Sequence, residues 1–141
     1  LWRELVRQLL SEFVLLLRRA AIRPAPVPVT ITPLMHTLIE YLDAQYTQPL
    51  TLHDLGHHFG FSPFYLSHEF SRFFGLGIKH YILQRRIIGA QLLMARNPGL
   101  TLAAVAEQVG FKEYAVFHRG FLKITGLSPV QHRKKVHPQR K

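Results

Sequence analysis

The chain has 141 residues, with 18 Lys and Arg against 8 Asp and Glu, so its formal net charge is +10 at pH 7. A hydrophobic content of 48% supports a folded core and excludes disorder as the main description. The absence of cysteine excludes disulfides, a thiolate nucleophile and cysteine-ligated zinc, and a cytoplasmic location is expected. The high positive charge indicates a polyanionic partner.

The first 31 residues form two segments of different character. Apolar residues recur every three or four positions in residues 1–22, which predicts an amphipathic helix. Its longest apolar run is too short to span a membrane, so no membrane partner is expected. Residues 23–31 contain alternating prolines and predict an extended linker. The apolar face is broad and the proline-rich segment leads the chain away from it, so we expect the helix to form a homodimer contact or to dock on an upstream domain, which the start without Met indicates is missing. Folding back onto the main domain is the alternative.

The remaining chain is predicted to be all-α. Thr32 and Pro33 have the pattern of an N-cap followed by a first-turn proline, and the helix they begin is expected to end near Tyr46. No later segment shows sustained alternation of apolar and polar residues, so no strand is predicted.

A sequence repeat is the most informative feature of the chain. Residues 51–61, TLHDLGHHFGF, return as residues 101–111, TLAAVAEQVGF. Each copy has a capping threonine, a glycine suited to a helix end and a second helical segment, which predicts helix-turn-helix units at about 51–75 and 101–126. Between them, a linker helix at about 78–96 could hold two recognition helices about 34 Å apart, which is one turn of DNA.

Residues 32–135 resemble the DNA-binding domain of the AraC/XylS family of bacterial transcription regulators. The resemblance is carried by residues 102–111, 117–121 and 126–129, and by Arg86-Ile87 in the linker helix. It implies that residues 32–141 bind double-stranded promoter DNA beside RNA polymerase, and that an N-terminal sensory or dimerisation domain precedes Leu1. Two positions depart from the family pattern: His132 replaces an aromatic residue, and Gly120 interrupts the second recognition helix.

The outward faces of the two recognition helices are expected to contact bases. Burial of the apolar positions, together with the family pattern, gives the candidates Phe64, Ser67, His68, Tyr114, Ala115, His118 and Arg119. Arg119 is the strongest of these, because a guanidinium can bond both acceptors on the edge of guanine. A solvated or phosphate-bound Arg119 is the alternative. The first recognition helix has no comparable side chain, so it is expected to position the domain more than it specifies the sequence.

Phosphate contacts are expected from donors at the groove edges. The candidates are Thr51, Arg72, Lys79, Arg85, Thr101, Lys112 and Lys123. The basic tail, residues 132–141, either adds non-specific attraction or is a frayed end.

Other functions have weaker support in the sequence. His53 and His57 have the spacing of a metal pair but no suitable third ligand nearby, so no metal site and no cofactor are expected. Scattered acidic residues and the absence of a phosphate-binding loop argue against an enzyme. The alternative is an all-helical interaction module whose basic surface binds protein or anionic lipid without sequence preference.

Overall fold

The computed structural model describes residues 32–138, and this part of the chain contains seven α-helices and no β-strand. The helices are α1 (Pro33–Gln45), α2 (Leu52–Phe59), α3 (Pro63–Phe74), α4 (Ile78–Arg96), α5 (Leu102–Gln108), α6 (Tyr114–Thr125) and α7 (Pro129–Val136). The amphipathic helix expected in residues 1–22, the linker expected in residues 23–31 and the last residues, 139–141, lie outside the described part.

Local sequence signals define the starts of several helices. The hydroxyls of Thr32, Ser62 and Thr101 each accept a hydrogen bond from the backbone N–H three residues later. Thr51 forms a reciprocal capping box with Asp54, and the Thr51 hydroxyl, donating to the carboxylate, lowers the pKa of Asp54. A cap of this kind stabilises a helix by about 1 kcal/mol. The helix starts are therefore fixed by residues close in sequence.

The first subdomain consists of α1, α2, α3 and the N-terminal half of α4. Its core is formed by Met35, Leu38, Leu42, Leu55, Leu66, Phe70, Ile78 and Ile82. Gly60, with φ at 73°, ends α2 in the left-handed conformation and donates its N–H to the carbonyl of Gly56. A side chain at Gly56 would lie 2.7 Å from the Phe61 carbonyl oxygen, so glycine there lets the turn fold back closely on α2.

The second subdomain consists of the C-terminal half of α4 with α5, α6 and α7. Its core is formed by Ile87, Ala90, Met94, Val105, Ala106, Val109, Phe111, Phe117 and Phe121. α7 closes this core: the His132 ring packs edge-on against Phe121 with 5.3 Å between centroids, and His137 Nε2 lies 2.9 Å from the carbonyl oxygen of Met94. Burial, with a smaller contribution from Lys135, lowers the pKa of His132. The lowered pKa favours the neutral imidazole, which packs here as an aromatic side chain.

The linker helix α4 belongs to both cores. Its buried apolar positions are Ile78, Ile82, Ile87, Ala90 and Met94. Two other apolar side chains of α4 are not part of these cores: Leu92 is 37% exposed and Ile88 is only partly buried. The reason is that α4 changes its buried face between Ile82 and Ile87, where it leaves one core and enters the other. The expected fold class, two helix-turn-helix subdomains joined by a long helix, is confirmed.

Candidate nucleic-acid interface

The first recognition helix, α3, is fixed at both ends by its own sequence. Ser62 caps its start with Pro63 in the first turn, and Gly75, with φ at 70°, ends it. On the inner face, Leu66 and Phe70 are completely buried. A helix held in this way presents its opposite face to solvent, which is the face expected to contact bases.

Aromatic rings dominate the outer face of α3. Phe64 is 80% exposed, and its ring lies nearly parallel to the exposed imidazole of His68, with 6.0 Å between centroids. Ser67 lies between them along the helix and is partly buried. The structure therefore brings two of the three candidates, Phe64 and His68, into one surface group. An apolar ring exposed to this extent is suited to contact a thymine methyl group.

The sequence analysis missed a second aromatic pair beside α3. The rings of Phe61 and Tyr65 stack with 5.1 Å between centroids, and both side chains are about two-fifths exposed, at 41% and 42%. The signal was present in the four-residue spacing of the two rings. It was overlooked because Phe61 belongs to the turn rather than to the helix.

The second recognition helix, α6, presents a more polar face. Phe117 and Phe121 are completely buried, and Gly126, with φ at 75°, ends the helix. Ala115 and Arg119 are exposed. This helix has the same inner and outer division as α3, so the repeat in the sequence corresponds to a repeat in exposure.

The aromatic side chains among the α6 candidates are less accessible to a ligand than Arg119. Tyr114 is 39% exposed, and its ring lies 6.3 Å from the ring of His118, which is partly buried. Within residues 32–138, no hydrogen bond or ion pair holds the Arg119 guanidinium. Two exposed apolar side chains on this helix, Val116 at 42% and Leu122 at 45%, add to the surface. Val116 was not foreseen because it flanks the buried face rather than opposing it.

The candidate phosphate contacts differ in how free their donors are. Lys79, Lys112 and Lys123 are exposed and have no partner within residues 32–138. Arg72 forms an ion pair with Glu69, with 2.6 Å between Nη2 and Oε2, but 62% of its side chain is exposed. These cations can approach a phosphate without breaking the core.

The two capping threonines differ in whether their hydroxyl proton is already donated within the helix. The Thr51 hydroxyl donates to the Asp54 carboxylate at 2.6 Å, and the Thr101 hydroxyl accepts from the N–H of Ala104 at 3.1 Å. The Thr51 proton is therefore committed to Asp54, whereas the Thr101 hydroxyl keeps its own proton free to donate to a phosphate, as do backbone N–H groups at both helix starts.

Arg85, another candidate phosphate contact, is already paired within the first subdomain. Its Nε lies 2.9 Å from Oδ1 of Asp43, and its guanidinium lies 5.7 Å from the centre of the Tyr46 ring. The Tyr81 hydroxyl also donates to Asp43, at 2.6 Å, and burial together with that bond raises the pKa of Tyr81. Arg85 therefore joins α4 to α1 inside the first subdomain, and its role as a phosphate contact stays a prediction.

The three histidines of α2, His53, His57 and His58, do not form a metal site with other residues of the described part. Across residues 32–138, no three His, Cys, Asp or Glu side chains are placed to hold a metal ion. His58 instead stacks on Tyr41, with 4.3 Å between ring centroids. No helix in the same part of the chain is long and apolar enough to cross a bilayer.

Comparison with known families decides the relationship of this chain. A family model described as a helix-turn-helix domain, of the AraC type, matches residues 55–135, more than half of the chain. The match runs from within α2 to α7 and includes both recognition helices. This chain belongs to the AraC-type helix-turn-helix family of transcription regulators. The resemblance found in the sequence is thereby confirmed.

Curated relatives of this AraC-type domain are much longer than the chain. The Msm operon regulatory protein of Streptococcus mutans is 34% identical over 95 residues, which are 67% of this chain and 34% of the relative. The chain spans about a third of the length of several of the curated relatives it matches and 13% of others. No comparison supports a general interaction module.

Solved structures have the same fold. The C-terminal domain of AraT, a response regulator from Geobacillus stearothermophilus, has a TM-score of 0.72 and 27% identity, over 75% of this chain and 88% of that one. The DNA-binding domain of AdpA, a global transcriptional factor solved in complex with a target DNA, has a TM-score of 0.66 over 77% of this chain and 96% of that one. At 20% identity, the AdpA likeness concerns the fold alone.

Both departures from the AraC-type pattern have a structural role. His132 supplies the ring that packs on Phe121. Gly120 is buried where α6 crosses α4, and a side chain there would meet Leu83 Cδ1 at 2.8 Å. Glycine at this position costs up to about 1 kcal/mol in helix propensity. It also allows α4 and α6 to approach each other more closely.

Proposed function

We propose that residues 32–141 bind promoter DNA sequence-specifically, with α3 and α6 inserted into two successive major grooves. The observation that carries the proposal is the duplicated geometry: each helix-turn-helix buries one face of its second helix and exposes the other. The 19 residues of α4 give a rod of roughly 28 Å. This length is compatible with two helices placed about 34 Å apart, one turn of DNA. The AdpA domain, which shares this fold, was solved on its target DNA.

The two recognition helices make different kinds of base contact. On α6, the unpartnered Arg119 guanidinium is free to form two hydrogen bonds with a guanine edge. On α3, the exposed Phe64 ring contacts a thymine methyl group, and Ser67 and His68 add single hydrogen bonds of lower selectivity. Tyr114, Ala115 and His118 complete the α6 surface. Most of the discrimination between sequences therefore comes from the second subdomain.

Phosphate binding supplies most of the affinity and none of the sequence preference. We assign it to Arg72, Lys79, Lys112 and Lys123, to the Thr101 hydroxyl, and to backbone N–H groups at the starts of α2 and α5. The net charge of +10 favours this role, because each phosphate neutralised releases counterions from the DNA.

The wider role follows from the family. We propose a regulator without catalytic activity, acting in the bacterial cytoplasm and contacting RNA polymerase beside the promoter. Residues 1–22, or a domain preceding them, supply a homodimer contact in this scheme. The relatives of which this chain spans about a third carry a further region, where the input signal would be received.

A competition shift assay tests the proposal. The preferred duplex, selected from a random pool, is bound to the chain at physiological salt and challenged with unrelated duplex. We expect the preferred duplex to bind at least about 1,000-fold more tightly than the competitor, which is the lower limit for specific DNA-binding proteins. Equal binding of both duplexes, lost together as salt rises, would favour a basic surface without sequence preference.

A further inference from the structure

One arginine in the middle of α4 contacts both subdomains. Arg86 donates from Nε to the carbonyl oxygen of Tyr46 at 2.7 Å and from Nη2 to that of Gln48 at 2.9 Å. Both carbonyls lie in the loop after α1, which belongs to the first subdomain. The Arg86 guanidinium also lies 5.6 Å from the centre of the Phe111 ring, which belongs to the core of the second. A single side chain therefore joins the linker helix, a loop of one subdomain and the turn of the other.

The chain segments around Arg86 pack against one another at short distances. A side chain at Gly110 would lie 2.4 Å from the Thr47 carbonyl oxygen, and one at Gly89 would lie 2.8 Å from the Tyr46 hydroxyl oxygen. The loop at residues 46–48 thus rests against α4 at Gly89 and against the turn between α5 and α6 at Gly110. At Gly110 the neighbour is backbone, so a side chain there would displace the loop, whereas at Gly89 the neighbour is the end of the Tyr46 side chain, which could move aside.

The chemistry of this contact is specific to arginine. A planar guanidinium can donate in two directions within its plane while its face lies on an aromatic ring. Burial lowers the pKa of Arg86, in keeping with its half-buried setting, but the group stays charged at neutral pH. A lysine ammonium in the same place would keep the charge and lose the planar stacking and the paired geometry.

We propose that Arg86 is a positioning residue that fixes the orientation of α3 relative to α6 and so sets the spacing between half-sites that the protein accepts. The two cores have no residue in common, and each uses a different half of α4. A second connection is therefore needed to suppress bending and twisting between the subdomains. The loop at residues 46–48, held by Arg86 against the second subdomain, is that connection. The consequence for DNA binding rests on the proposed function; the orientation itself does not.

The DNA-independent part is tested by distance measurement between spin labels. Because the chain has no cysteine, Ser71→Cys and Leu122→Cys, both at exposed positions on the recognition helices, place labels at two defined sites. We expect one narrow distance distribution in the otherwise unchanged protein and a clearly broader one when Arg86→Lys is added. Arg86→Ala provides a second variant, and circular dichroism confirms that each remains helical. Distributions of equal width in all three proteins would overturn the proposal.

The DNA-dependent part is tested with duplexes in which one or two base pairs are inserted between the half-sites. Each inserted pair rotates one half-site by about 35° relative to the other. The unchanged protein is expected to bind the original spacing best. Arg86→Lys is expected to lose roughly tenfold at that spacing, if only about a tenth of its molecules hold the competent orientation, and to lose little at the altered spacings.

The outcomes separate three explanations. A flattened dependence on spacing supports the positioning role of Arg86. An equal loss at every spacing, with the original preference retained, would contradict it and indicate a general loss of folded or charged protein. If the unchanged protein prefers no duplex at all, the proposed function fails, while the spin-label distances still decide whether Arg86 holds the subdomains together.

Discussion

Arg119→Ala is expected to lower affinity for the preferred duplex by roughly 5- to 150-fold, corresponding to about 1–3 kcal/mol, and to lower affinity for unrelated DNA much less. The reason is that Arg119 is exposed on the outer face of α6 and that no other side chain or carbonyl within residues 32–138 holds its guanidinium. Competition shift assays on both duplexes at one salt concentration measure the two losses. The preference for guanine at one position of the half-site should relax in the variant.

Lys123→Ala provides the matched control on the same helix. Lys123 is exposed in the last turn of α6 and is assigned to a phosphate. Its removal should weaken binding to both duplexes by a similar factor and reduce the slope of log affinity against log salt concentration by about one. If Arg119→Ala behaves like Lys123→Ala, Arg119 contacts a phosphate and the specificity resides elsewhere on α6.

Gly110→Ala is expected to destabilise the fold by roughly 2–5 kcal/mol. Two effects combine at this position. Its φ of 97° lies in a region that residues with a side chain rarely adopt, and the added Cβ would lie 2.4 Å from the Thr47 carbonyl oxygen. The free energy of unfolding, measured by urea denaturation of the whole chain, reports the loss.

Gly60→Ala separates the two effects because Gly60 is the equivalent residue of the first repeat. Its φ is 73°, but no atom lies within 4 Å of the position its Cβ would take. The variant should therefore lose only the conformational part, roughly 1–2 kcal/mol. Equal losses in Gly60→Ala and Gly110→Ala would show that the loop at residues 46–48 yields easily, and would weaken the case for a fixed orientation of the subdomains.

Much of the fold could be predicted because its signals are local. The caps at Thr32, Ser62 and Thr101 and the repeated glycines lie within a few residues of the turns they form. The burial pattern of α4 could not be predicted in the same way. A single helical period assumes one buried face, whereas α4 turns Ile82 toward one core and Ile87 toward the other. That change depends on the placement of the two subdomains, which no local pattern contains.

Residue roles at the candidate nucleic-acid interface were harder to predict from the sequence than the helices were. Arg85 and Arg86 are neighbours with the same chemistry, and the sequence offers no reason to treat them differently. The structure pairs Arg85 with Asp43 and directs Arg86 to the carbonyls of Tyr46 and Gln48. These partners lie about forty residues away along the chain. By contrast, the exposure of Phe64 and Arg119 follows from burial of residues two positions away on the same helix, so both could be predicted.

Hydroxyl-radical footprinting of the chain on its preferred duplex tests most directly whether both recognition helices bind neighbouring turns of DNA. Two protected patches are expected on one face of the duplex, with centres about 10 base pairs apart. A single protected patch, or two patches on opposite faces, would contradict this arrangement.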